Sequence, residues 1–148
     1  MRFTPAVLVA ALLMACAPAE EAPEVVEAPP PPAGPTLADF AGTWQNSAML
    51  EGQTAPVPST WTGTAGGTDW TMSLEGRPNV PVQASVVGDS LIVVSSEYES
   101  VLRPGVMVRV RSASVLQNGA LVGNMVATYR TPQGDQAVRG TITGTRIQ

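Results

Sequence analysis

From Gly42 onward, apolar and polar residues alternate with period two, and Gly, Asn, Asp and Pro interrupt the alternation at short intervals. Trp70, Met72 and Leu74 stand against Thr71, Ser73 and Glu75. Val80, Val82, Ala84 and Val86 stand against Pro81, Gln83 and Ser85, and Val106, Val108 and Val110 against Met107, Arg109 and Arg111. Successive side chains of a strand point to opposite faces, so each run reads as a half-buried strand with one wet face. The interruptions are turn chemistry. Gly66-Gly67, Gly76-Arg77-Pro78-Asn79, Gly88-Asp89, Asn118-Gly119 and Gln133-Gly134-Asp135 supply positive φ or local side-chain capping. Together these signals predict about eight strands, near 43–50, 59–65, 68–75, 80–87, 90–98, 106–116, 120–130 and 136–147.

Apart from one turn at Leu37 to Phe40, no segment of this region carries a helical apolar period. Consecutive strands joined by short turns form an antiparallel up-and-down meander. Such a meander hides its edge strands best by closing into a barrel, with a sandwich as the alternative. The expected fold class is therefore all-β.

Closure also has a specific signal. Gly42-Thr43-Trp44 opens the first strand in "FAGTWQ", and Arg146 falls near the end of the last strand, in phase with Val138 and Ile142. If Trp44 and Arg146 both face inward, the first and last strands share a core only as neighbours, with the guanidinium on the indole face. This pair resembles the lipocalin and calycin families, in which a Gly-x-Trp on the first strand and an arginine on the last close one end of an eight-stranded barrel. The resemblance implies a lipocalin-like architecture for residues 37–148.

The amino-terminal part of the chain follows another pattern. Arg2 precedes an apolar run from Ala6 to Met14, and "VLVAALLMAC" ends at Cys16, the only cysteine. A helix needs about 20 apolar residues to cross a bilayer, so the run is too short to span one. A charged start, a short apolar stretch and the small residue Ala15 make a secretory signal peptide. Leu13-Met14-Ala15-Cys16 resembles the lipobox of bacterial lipoproteins. That resemblance implies cleavage after Ala15, diacylglycerol on the Cys16 thiol and attachment to a membrane through that lipid. The alternative is an ordinary signal followed by a free thiol, which is a reactive liability in an oxidising compartment. Ala17 stands where a retention signal of such lipoproteins has Asp. The expectation is thus a bacterial envelope protein held at the outer membrane and facing the periplasm.

Six prolines between Pro23 and Pro35, with Glu20, Glu21, Glu24 and Glu27, make residues 16–36 read as a lipid-anchored, disordered linker behind a signal peptide at 1–15. Its polyproline stretch lets it reach on the order of 60 Å. The linker also carries most of the acidity. The whole chain has a formal charge of −4, whereas residues 37–148 hold seven arginines against eight carboxylates, 7 − 8 = −1. A near-neutral domain lacks the basic stripe that nucleic acid requires, and no nucleic-acid partner is expected.

The chain contains no histidine, which removes His-based triads and His metal sites. No cofactor and no enzymatic activity are expected. Glu97 and Glu99 lie two apart, as in an acid/base pair, but with nothing nearby to predict burial or a shifted pKa they read as solvated carboxylates at a strand end. The residues suited to an apolar pocket are Trp61, Trp70, Met72, Met125 and Tyr129, which alternatively just fill the barrel. "ESVLRPG", from Glu99 to Gly105, is the longest non-alternating break between strong strands and the natural loop to cover such a pocket. The function these features suggest is a non-enzymatic binding barrel for a small apolar ligand. The alternative is an envelope protein partner met through outer surface and loops, as for a hydrolase inhibitor or assembly factor.

Overall fold

A computed structural model describes residues 33–147. The expected signal peptide, Cys16 and most of the linker lie outside the described residues. The first element is a helical turn, α1 (Leu37–Phe40). Strands β1 (Gly42–Leu50), β2 (Val57–Gly63), β3 (Trp70–Ser73), β4 (Val80–Val87), β5 (Ser90–Ser95), β6 (Tyr98–Glu99), β7 (Met107–Gln117), β8 (Ala120–Thr131) and β9 (Gly134–Ile147) follow. All pairings are antiparallel. β1 lies between β2 and β9, while β5 and β6 both pair with β7. The result is a closed up-and-down barrel of eight walls, β5 and β6 being two halves of one wall.

That wall is broken by a β-bulge. Leu91 faces Ser114 and Val94 faces Arg111, but Tyr98 faces Val108, so the β5–β6 side carries one extra residue across Ser96 and Glu97. The buried positions shift with it. Leu91, Val93 and Ser95 point inward on odd numbers, and Ser100 is buried on an even one. Unbroken alternation over 90–98 brings Glu97 inward; the bulge turns it out. Ser95 Oγ accepts the Val110 N–H at 2.9 Å, occupying a donor that the interrupted ladder frees.

The interior contains the three tryptophans, Leu50, Met72, Leu74, Leu91, Val93, Leu121, Met125, Tyr129 and Ile142. It also contains Asn46, Ser112 and Ser114, whose side-chain oxygens have no protein partner. Close packing of the walls depends on small residues at particular points. Gly63 faces inward beside Trp70, and a side chain there would overlap the indole ring. The ring lies where the Cβ would be, and its Nε1 donates to Thr64 O at 2.7 Å.

Because strands alternate in direction, the connections fall at two ends. The β2–β3, β4–β5 and β7–β8 turns share one end with α1 and the end of β9. The β1–β2, β3–β4, β6–β7 and β8–β9 connections share the other.

Candidate functional site

The end carrying α1 is closed by main-chain contacts. Asp39 caps the helical turn, its carboxylate accepting the Thr36 N–H at 2.7 Å and the Thr36 hydroxyl at 2.8 Å. These bonds, the backbone one first, hold the Asp39 carboxyl below its ordinary range, helped by Arg146. The last carbonyls of so short a helix have no partner within it. Phe40 O receives Trp44 Nε1–H at 2.8 Å, and Arg146 donates to Ala41 O at 2.7 Å and to Asp39 O at 2.6 Å. Trp44 is opposite Arg146 in the β1–β9 register, and the guanidinium carbon stands 4.5 Å from the indole centroid. Gly42 has φ of +126°, a backbone conformation open to glycine, where the chain turns from α1 into β1.

The opposite end is covered instead by a loop. Ser100 is buried, and its hydroxyl accepts the N–H groups of Leu102 and Arg103, both at 3.1 Å, folding the segment into a tight turn. Val101 and Leu102 thereby enter the barrel mouth, where they line a cavity of about 40 Å³. Its wall includes Leu50, Trp61, Met72, Tyr98, Met125 and Tyr129. None of the lining residues carries a charge.

Arginines fix the loop from outside. The Arg103 guanidinium lies 4.1 Å from the Tyr129 ring centroid and donates to Gln136 Oε1 at 2.5 Å. Arg77, on the neighbouring β3–β4 turn, donates to Ser100 O at 3.4 Å and pairs with Glu99 at 3.5 Å. Glu99 also accepts the Gly105 N–H at 3.0 Å, and Glu97 is paired with Arg130 at 2.5 Å. The two glutamates are thus on the outer surface, each beside its own arginine.

Of the residues the sequence suggests for a pocket, Trp61, Met72, Met125 and Tyr129 converge on this cavity. Trp70 does not line it; its ring is against Gly63, near the α1 end. Val101 and Leu102 belong to the Glu99–Gly105 segment expected to cover the pocket, and Tyr98 joins them in lining it. Burial, with a smaller contribution from Tyr129, pushes the Tyr98 phenol up to about 12.

No protein-family model, curated protein or solved structure matches the chain. The structure shows a closed eight-walled antiparallel barrel, and the functional argument rests on the residues themselves. Among the described residues no helix is long and apolar enough to cross a membrane, and no three His, Cys, Asp or Glu side chains converge on a metal position.

Proposed function

We propose that this chain is a lipid-anchored envelope protein whose barrel binds a small apolar ligand without transforming it. The observation that carries the binding reading is the uncharged cavity at the barrel mouth, roofed by Val101 and Leu102 on a loop rather than by a strand. A small-molecule site typically encloses about 300–1,000 Å³. A cavity of about 40 Å³ holds only a few waters, so a ligand takes the volume that Val101 and Leu102 occupy and the loop moves outward. The non-enzymatic reading is supported by the lack of histidine and by the arginine neighbours of Glu97 and Glu99.

The probe for binding is N-phenyl-1-naphthylamine, which fluoresces in apolar surroundings. Saturable enhancement with the wild-type chain, lost in Met125→Trp, is the expected result. Absence of saturable enhancement, together with native mass spectra free of any co-purified small molecule, overturns the binding reading. The anchor is supported by Leu13-Met14-Ala15-Cys16, and Cys16→Ser is expected to move the protein from the membrane fraction to the soluble one.

A further inference from the structure

Three tryptophan N–H groups are buried with their rings in this barrel, and they are treated differently. Trp44 donates to Phe40 O and Trp70 to Thr64 O. Trp61 Nε1 has no partner, although the residue is only 2% exposed and lines the mouth cavity. A buried donor left unpaired is costly, so native proteins seldom leave one without reason. A trapped water needs about two to four polar partners, and the surroundings here are mostly apolar.

Resting on the binding reading above, we infer that the ligand is a neutral molecule with an apolar chain and one hydrogen-bond acceptor, such as a ketone, ester or aldehyde carbonyl, which accepts from Trp61 Nε1–H. Two features select this chemistry. The apolar wall of Leu50, Met72 and Met125 takes the hydrocarbon part. The absence of any lining charge rejects an ionised head inside the cavity, because a carboxylate buried there meets no cation. Arg103 does not supply one, since its guanidinium is engaged with Tyr129 and Gln136.

The test compares methyl hexyl ketone, octane and octanoate on the full chain, followed through the tryptophan Nε1–H resonances and by calorimetry. The ketone is expected to bind roughly tenfold more tightly than octane, and to move one indole resonance downfield, with the other two nearly unchanged. Trp61→Phe is expected to equalise ketone and octane by weakening the ketone alone. Equal affinity of ketone and octane in the wild type, with no indole shift, overturns the acceptor assignment and leaves the apolar pocket standing. Tightest binding of octanoate, lost in Arg103→Gln, also overturns it, in favour of an anionic head held at the rim. Binding of none of the three overturns the assignment along with the binding reading beneath it. The wild-type resonances decide the matter even if Trp61→Phe fails to fold.

Discussion

Both ends of the barrel place an arginine over an aromatic ring, Arg146 over Trp44 and Arg103 over Tyr129, yet the two ends are built to different standards. Arg146 belongs to a strand paired on both sides and donates to two main-chain carbonyls at the end of α1. Arg103 belongs to a loop, and its guanidinium donates to the side chain of Gln136. A charged donor on a carbonyl contributes about 1.5–3 kcal/mol, whereas surface side-chain pairs contribute about 0–1. On the binding reading proposed above, the same stacked pair finishes a wall at one end and holds a separable cover at the other. What decides is whether the arginine ties backbone to backbone or one mobile side chain to another.

The strongest way to break this contrast is at the α1 end. Trp44 is fully buried and its indole N–H supports the helical turn. Trp44→Ala is expected to cost about 3–5 kcal/mol in urea unfolding, and a loss under about 1 kcal/mol would mean that α1 is held by something else.

At the covered end, Tyr98 gives the next largest effect, and a pH signature. Its folded pKa of about 12 is above the ordinary 10.0, so the native protein keeps the phenol proton while the unfolded chain gives it up. Tyr98 thus contributes fully below pH 10.0, and stability falls as pH rises through 10.0 toward 12, at about 1.4 kcal/mol per pH unit. Ultraviolet titration should show one of the two tyrosines ionising near 12, with urea midpoints dropping over the same window. Titration of Tyr98 at 10.0 would place its phenol in water rather than at the cavity.

Arg146→Ala follows, at about 1–2 kcal/mol once its exposure is discounted. The readout is the urea midpoint, with loss of protection at the Ala41 amide, which donates to Ala38 O within the turn.

These differences bear on what the residue order reveals. The walls were legible because their inward positions are apolar in strict alternation, as in Trp70-Met72-Leu74 and Val80-Val82. The turns were legible because Asn118-Gly119 and Gly88-Asp89 are both positive-φ sites, φ being 51° at Asn118 and 59° at Gly88. The Trp44–Arg146 pairing was accessible through phase alone, since both residues lie on the inward register of terminal strands. The bulge was not legible. Ser95-Ser96-Glu97 has no glycine and no proline to mark an extra residue, and its phase change shows only in the pairing with β7, the next wall. The inward phase of Tyr98, which forms part of the cavity wall, depends on that extra residue. Trp70 lies away from this cavity for a related reason. Alternation tells that a side chain points inward, but not at which height of the barrel it lies; that is set by the short β2–β3 register and by the space at Gly63. Buried Asn46, Ser112 and Ser114 were similarly invisible, since polar residues at inward phase look like outward ones.

The smallest stability effect sharpens the comparison most. Arg103→Ala is expected to cost less than about 1 kcal/mol in global unfolding, because it removes a cation–π contact and one side-chain hydrogen bond at a partly exposed position. Its effect should instead be local. The amides of Leu102, Arg103 and Gly105 are protected through Ser100 Oγ and Glu99, partners within or beside the loop itself. Without the Tyr129 and Gln136 contacts the segment opens more often and breaks these bonds, so all three amides should exchange faster together while β8 amides keep their protection. Arg146→Ala should leave that trio unchanged. Gln136→Ala, which removes only the hydrogen-bond acceptor, should produce a fraction of the Arg103→Ala acceleration. If Arg103→Ala instead lowers the urea midpoint as much as Arg146→Ala and leaves the loop amides unaffected, the covering segment is a structural cap continuous with the walls, and the two ends of the barrel are alike.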